Sequence, residues 1–363
     1  VYKAYQELGI DLVIVGPEAP LVDGLADQLR EKGVAVFGPD QKGAALEGSK
    51  IASKVFMEKY NVPTAAFEIV RSVDDVKGKR PNFTPPYVLK ADGLAGGKGV
   101  YICKTSEDLE KAATDLFENK VLGDAGREAL LEQFQPGYEL SFFVLTNGED
   151  FVSLPMAQDH KRLLDNDEGP NTGGMGTVAP MNIEPQKYES SVEKVVKPTV
   201  RGLKEEGFTY RGVVFIGIMM TNEGPQVLEY NIRFGDPETQ VLMPLLDGDW
   251  GQVFKSIADG NIPEVKWNDK FSACVVMAAE GYPTSPKKDV KMAGNFEPTS
   301  SQYFLHAGTK SDGGDWLVNG GRVLNAIGLG SSMKEAIEKA YEQSEKVTWP
   351  GMQKRKDIGN KAL

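Results

Sequence analysis

The chain has 363 residues, 40% apolar and 26% charged. That is enough for two to three domains with packed cores at about 150 residues each, and too rich in aromatic and β-branched residues for a disordered segment. Its 41 basic and 52 acidic residues leave a net charge of −11, which excludes a protein that coats nucleic acid, because that affinity comes from Lys and Arg neutralising phosphates. A small anionic ligand needs only a local cluster of donors. The longest apolar run, Gly212 to Met220, is too short to cross a bilayer. Cys103 and Cys274 each sit in an apolar stretch and read as buried, reduced thiols, which points to a reducing compartment such as the cytoplasm. The chain opens Val1-Tyr2-Lys3-Ala4-Tyr5 inside a helical pattern, without Met or signal peptide. It is therefore expected to begin partway through a domain.

Residues 10–15 read as a buried parallel strand, followed by the turn Gly16-Pro17-Glu18-Ala19-Pro20. A helix over 22–32 closes at Gly33, and a strand follows over 34–37. Strand, helix, strand predicts a parallel βαβ unit, whose ligands bind beyond the carboxyl ends of the strands. A helix is expected over 41–60, strands over 87–90 and 100–103, and a helix over 106–117 with Ser106 as its N-cap. A strand over 129–134 precedes an antiparallel pair, 140–145 and 151–154, joined by Asn147-Gly148. Residues 158–180 show no periodicity, and a loop of that length is commonly functional. A helix over 187–206 leads to strands over 212–220 and 226–230. The remainder mixes strands over 272–278, 303–306 and 322–327 with a helix over 333–347.

Four segments carry chemistry. In Lys90-Ala-Asp-Gly-Leu-Ala-Gly96-Gly97-Lys98-Gly99, glycines let backbone N–H groups approach an anion and two lysines add charge. Val100 follows Gly99 where a P-loop has Ser or Thr, so this reads as a strand–loop–strand phosphate flap. In Glu229-Tyr-Asn231-Ile-Arg233, period-two alternation puts Glu229, Asn231 and Arg233 on one strand face. A carboxylate, an amide oxygen and a guanidinium suit Mg²⁺ beside a nucleotide phosphate. Glu132-Gln133-Phe134 with Glu139 could form a base slot and ribose contact, though an ordinary strand end gives the same pattern. Gln158-Asp159-His160-Lys161-Arg162 with Asn171-Thr172-Gly173-Gly174 reads as a substrate-holding loop. His160 invites a general-base role, but a positioning or structural role fits a lone histidine better. His306 is assigned no chemistry.

Taken together, these segments resemble the ATP-grasp superfamily, and within it the glycinamide ribonucleotide synthetases, or phosphoribosylamine–glycine ligases. The matching words include Val15-Gly-Pro-Glu-Ala-Pro20, Leu46-Glu-Gly-Ser-Lys50, Gly169-Pro-Asn-Thr-Gly-Gly-Met-Gly176, Phe304-Leu-His-Ala-Gly-Thr309, Asn319-Gly-Gly-Arg-Val323 and Arg355-Lys-Asp-Ile-Gly359. They span nearly the whole chain in order. The resemblance implies an α/β and α+β multidomain fold. A truncated Rossmann-like parallel-sheet domain over 1–50 would precede an ATP-grasp core over 51–260, with its lid at about 66–133, and a small mixed domain over 261–363 would follow. It implies that ATP phosphorylates glycine and that 5-phosphoribosylamine attacks, giving glycinamide ribonucleotide, ADP and phosphate. Lys50, Lys90 and the flap Gly96, Gly97, Lys98 and Gly99 would meet ATP phosphates. Glu132, Gln133, Phe134 and Glu139 would hold adenosine. Glu229 and Asn231 would bind Mg²⁺ or Mn²⁺, and Arg233 and Lys90 would be catalytic. Gly16, Pro17, Glu18, Asp159, Lys161, Asn171, Thr172, Gly173, Gly174 and Asp236 would hold the two substrates. The implied partners are small molecules, with no nucleic acid or membrane, and the implied state is a monomer or weak homodimer. Gly96-Gly97 stands where the family often has Ala-Gly, and Phe215 to Met220 lacks the acidic ligand of many wider ATP-grasp enzymes. Another ATP-grasp carboxylate–amine ligase, or a non-catalytic nucleotide-binding form, stays open as an alternative.

Overall fold

A serine divides one expected helix in two, and a glycine sets where another begins. In the computed structural model, which describes every residue except Gly96 and Gly97, the first forty residues hold helices Glu18–Val22 and Leu25–Arg30. One helix was expected over 22–32 and a turn over 16–20, so the first of these helices stands mostly where the turn was expected. Gly24, at φ +80°, separates the two in a left-handed conformation that favours glycine. The helix expected over 41–60 is instead two, Gln41–Gly48 and Lys50–Lys59. Ser49 is extended, and its hydroxyl accepts from the Ala52 N–H while donating to Asp92 Oδ1. A serine side chain competes with the helical backbone for hydrogen bonds, so here it caps a new helix.

The chain forms two compact units. The first comprises Val1–Leu154, Ile183–Phe234 and Gly251–Glu264, and the second Pro155–Asn182, Gly235–Trp250 and Val265–Leu363. In the first, the strand expected over 10–15 is only Val13–Ile14, and Ile14 is exposed rather than buried. It pairs in parallel with Val36–Pro39, as the βαβ order predicts. The long apolar strand Tyr210–Thr221 joins this pair to the rest of a six-stranded sheet. It pairs antiparallel with Tyr138–Thr146 and with Gly224–Asn231, and Phe151–Ser153 closes the expected hairpin. Buried Val213, Val214, Ile216 and Ile218 give this strand its apolar run.

A four-stranded sheet in the same unit runs Phe67–Val70, Ala129–Gln133, Tyr87–Ala91, Val100–Cys103. Helix Ser106–Ala113 covers it through Leu109, and Val76, Leu89, Leu116 and Leu131 complete the core. Each such leucine contributes about 1.5–3 kcal/mol when fully buried. The helix is capped by Thr105, not Ser106, because Thr105 and Asp108 form a reciprocal capping box. Its expected last turn, over 114–117, is a π turn, Thr114–Glu118.

The second unit is built on the sheet Gln302–His306, Arg322–Gly330, Phe271–Ala278, Gly176–Ala179, Gln158–Asp159. Helix Met333–Ser344 packs on it through Ala336, Ile337 and Ala340. A Cβ at Gly328 would fall 2.3 Å from the Ala336 oxygen, so glycine is what allows this helix to approach. The region 158–180, expected to be a loop, holds four short strands. Two join the sheet, and Arg162–Leu164 with Glu168–Asn171 make a small hairpin. Cross-strand backbone pairing needs no hydrophobic alternation, so composition concealed it. Cys103 and Cys274 are both buried and free. Among the described residues no helix is long and apolar enough to cross a membrane.

Candidate active site

Strand Tyr87–Ala91 places Lys90 in the interior, 7% exposed. On the neighbouring strand Ala129–Gln133, Glu132 is 2% exposed. Its Oε2 lies 3.1 Å from the Lys90 ammonium and 3.3 Å from that of Lys54, on helix Lys50–Lys59. Lys90 also donates to the Leu228 carbonyl at 3.2 Å, the residue before Glu229. Burial lowers the Lys54 pKa to about 8, with the charge of Glu132 opposing the fall and that of Lys90 adding to it. Glu132 Oε1 is buried without a hydrogen-bond partner. Sequence reasoning grouped Glu132 with Gln133 and Phe134. Gln133 turns its amide to Thr84, accepting from its N–H and donating to its carbonyl, both at 3.0 Å. Phe134 and Glu139 are half-buried, the latter opposite Met219.

The strands that flank the glycine segment pair antiparallel, as the strand–loop–strand reading expects. Lys90 is opposite Val100, and the Ala91 N–H donates to the Gly99 carbonyl at 2.8 Å. Gly99 is buried, and a Cβ there would press on Ala91 and Ala95 at 3.1 Å, while Lys98 is exposed. Gly96 and Gly97 lie outside the described residues. Asp92 ties this segment to the start of the Lys50 helix, accepting from Ser49 Oγ and the Ile51 N–H, while its carbonyl accepts from the Lys50 N–H.

Glu229 and Asn231 alternate with buried Tyr230 along Gly224–Asn231. Arg233 does not continue that face, because the strand ends at Asn231. Its guanidinium meets Glu47 Oε1 at 2.8 Å, Glu18 Oε2 at 3.3 Å and Asn231 Oδ1 at 3.4 Å. Glu47 is buried and takes the Ile232 N–H at 2.8 Å on its other oxygen. Burial pushes its pKa up to about 7. Arg233 and the Ile232 N–H oppose that rise, and Glu18 and Glu229 add to it. Two carboxylates and one amide oxygen therefore surround one guanidinium, with Glu229 two strand positions before Asn231. This all-oxygen donor set fits Mg²⁺ or Mn²⁺. Among the described residues no three His, Cys, Asp or Glu side chains converge as an all-protein metal cage; Mg²⁺ characteristically takes one or two carboxylates and completes its shell with phosphate and water. Gly16 and Pro17 are exposed ahead of Glu18, the first residue of its helix.

In the second unit, Asp159, Gly173, Gly174 and Asp236 come together, as the sequence grouped them. A Cβ at Gly174 would fall 2.9 Å from Asp159 Oδ1 and 2.5 Å from Pro237 Cδ. Arg322, given no role from sequence, organises them. It donates to the Gly173 carbonyl at 2.7 Å and to Asp236 Oδ2 at 2.9 Å. The Tyr282 hydroxyl accepts from the Gly173 N–H. Thr172 donates its hydroxyl to the Lys161 carbonyl and accepts the Gly174 N–H, so it shapes the loop. Asn171 is exposed in the small hairpin, opposite Arg162.

His160 is 2% exposed and has both ring nitrogens engaged. Nδ1 lies 3.1 Å from the Gly176 carbonyl and Nε2 accepts from the Gly359 N–H at 3.1 Å, which fixes the Nδ1–H tautomer. Burial, with Arg355 adding to it, lowers its pKa to about 4. Its contacts are structural. Fully buried Arg355 pairs with Asp167 and Asp357 nearby and donates to the Arg162 carbonyl. The only sequence signal for Glu47, Arg322 and Arg355 was their place in family-like words. Lys54 carried none.

Sequence profiles for the phosphoribosylglycinamide synthetase N domain, ATP-grasp (A) domain and C domain match residues 1–47, 48–239 and 272–361. The phosphoribosylamine–glycine ligase of Halalkalibacterium halodurans is 40% identical over 359 residues, 99% of this chain and 84% of that protein. Its counterpart in Mesorhizobium japonicum is 43% identical over 362 residues, 99% and 85% of the two chains. The crystal structure of phosphoribosylamine–glycine ligase from Thermotoga maritima superposes with a TM-score of 0.83 at 38% identity, covering 89% of this chain and 81% of that one. A biotin carboxylase domain from Hydrogenobacter thermophilus, at 21% identity and TM-score 0.77, covers 97% of this chain and 77% of its own and shares the fold. With these matches running along its length, the chain belongs to the phosphoribosylglycinamide synthetase family and has its ATP-grasp fold.

Proposed function

We propose that this chain uses ATP to join glycine to 5-phosphoribosylamine, giving glycinamide ribonucleotide, ADP and phosphate, the ligation step of purine synthesis that its relatives are named for. One observation carries the reading: the Lys90 ammonium is held 3.2 Å from the Leu228 carbonyl, immediately before Glu229. This joins a buried cation suited to phosphate to the strand bearing the oxygen donors suited to a divalent ion.

Lys90 and Lys50, with the Gly93 to Gly99 turn, take the phosphates of ATP, and Glu132 to Phe134 with Glu139 take the adenosine. Glu229 and Asn231 hold Mg²⁺ or Mn²⁺, which supplies charge neutralisation for the polyphosphate. Arg233, oriented by Glu18 and Glu47, stabilises charge on the phosphoryl group moving to the glycine carboxylate. The resulting glycyl phosphate is then attacked by the amine of phosphoribosylamine, and phosphate leaves. A neutral amine is already a nucleophile, so no strong base is required. That agrees with a histidine whose two nitrogens are both engaged in structural contacts. Catalysis then comes from positioning and phosphate electrostatics, with the glycine turn excluding water from the acyl phosphate. Asp159, Lys161, Asn171 to Gly174 and Asp236 contribute to substrate binding. The acidic balance supports small-molecule partners without nucleic acid, and buried free thiols support a reducing, cytoplasmic location; a monomer or weak homodimer is the state the family resemblance implies.

The test is ADP release with glycine and freshly prepared phosphoribosylamine, each omitted in turn. ADP formation that requires both supports the assignment, and turnover indifferent to glycine overturns it.

A further inference from the structure

Lys54 is 2% exposed and was assigned no role, yet it shares a carboxylate with the phosphate-site lysine. Its three donor directions are all used: Thr64 Oγ1 at 2.7 Å, the Ala65 carbonyl at 3.3 Å and Glu132 Oε2 at 3.3 Å. The Thr64 hydroxyl passes the link on to the Val227 carbonyl at 2.6 Å, and Lys90 donates to Leu228 next along the same strand. The two ammonium groups are thus anchored to adjacent residues of Gly224–Asn231 and converge on one oxygen. Among the described residues, Lys90 points one donor direction toward Leu228 and one toward Glu132, which leaves a third for a ligand.

The charge balance gives this arrangement a consequence. Lys90 and Glu132 alone sum to zero, and a neutral buried pair attracts an anion only as a dipole. Lys54 brings the triad to +1. Burial lowers its pKa to about 8, which still leaves it cationic at neutral pH. We propose that Lys54 is a positioning residue that takes up part of the Glu132 charge and so leaves the charge of Lys90 to the polyphosphate of the nucleotide. This rests on the nucleotide reading above. Lys54 acts through Glu132 and Lys90 and touches no substrate.

The test measures binding of MgATP, of inorganic tripolyphosphate with Mg²⁺, and of adenosine to the wild-type chain, K54M, E132Q and K54M/E132Q. Tripolyphosphate affinity should follow the net charge of the triad. Wild type and K54M/E132Q, both at +1, agree within about three-fold; E132Q, whose Lys54 has lost the carboxylate that helps hold its proton, binds no more weakly than these; K54M, at 0, is weaker by about ten-fold or more. Adenosine binding to K54M stays close to wild type, and in turnover KM for ATP rises while KM for glycine holds. If K54M fails to fold, K54Q against wild type reads the same one-charge step. Equal loss of adenosine and tripolyphosphate in K54M, or tripolyphosphate affinity indifferent to charge among the folded variants, overturns the proposal. A wild-type chain that binds neither MgATP nor tripolyphosphate overturns the nucleotide reading itself, and this proposal with it.

Discussion

Arg233 reaches back 186 residues in sequence to place its Nη2 2.8 Å from Glu47 Oε1. Glu47 holds the Ile232 N–H on its other oxygen, so one buried carboxylate fixes both the backbone and the side chain of the residues just past Asn231. Glu47→Gln keeps the shape and an acceptor but removes the charge. Because burial outweighs its partners and already raises the Glu47 pKa to about 7, removing the charge should cost little stability at pH 7 in urea titrations. The variant should lower kcat at least ten-fold, about 1.4 kcal/mol in the barrier, with little change in nucleotide binding. Unchanged kcat would remove Glu47 from the orientation of Arg233.

Glu229→Ala should abolish ligation while leaving the unfolding midpoint near wild type, because Glu229 is only half-buried beside the apolar core. Raising Mg²⁺ or Mn²⁺ should not restore the rate. Activity close to wild type at saturating metal would refute its role as a metal ligand.

Acid should destabilise the fold through His160. Its pKa falls on folding from 6.5 to about 4, so below 6.5 the unfolded chain takes up a proton that the folded chain refuses. The stability from neutral His160 is therefore fully present above pH 6.5 and lost as pH falls toward 4, on the order of 3 kcal/mol in all. Urea midpoints between pH 7 and 4 should fall less steeply for His160→Gln, which should also be less stable at pH 7. Parallel pH slopes for the two chains would exclude His160 as the source.

Arg322→Ala should leave MgATP binding intact and raise KM for the phosphoribosylamine or glycine. It removes the donor that ties the Gly173 carbonyl to the Asp236 carboxylate, and a loop fixed by two such bonds loses its pre-set shape. An equal effect on ATP binding would contradict the assignment of this loop to the other substrates.

Much of the first unit was legible because its signals are local. The Lys90 to Gly99 segment announces itself by glycine spacing, and the register of its flanking strands, Lys90 opposite Val100, follows from their shortness. The strand Tyr210–Thr221 was visible as an apolar run with a turn at Asn222 to Gly224. Ser49, Gly24 and Thr105 were harder. A break in a helix depends on one hydroxyl finding a partner, here Asp92 for Ser49, forty-three residues away. The strands within 158–180 were invisible because their pairing uses backbone groups that every residue carries.

The sequence alone determined the family, the ATP-grasp fold and the chemical inventory: lysines beside glycines, and a carboxylate and an amide two residues apart on a strand. These follow from residue type and short-range spacing, which periodicity and motif preserve. Tertiary structure decided how the charges are shared. Lys54, Lys90 and Glu132 meet from a helix and two strands, and Glu18, Glu47 and Arg233 meet from segments nearly two hundred residues apart. Burial makes each of those meetings strong, because in the low-dielectric interior a charge must be matched or neutralised. Which partner does the matching is a property of the packed chain, and no window of sequence contains it.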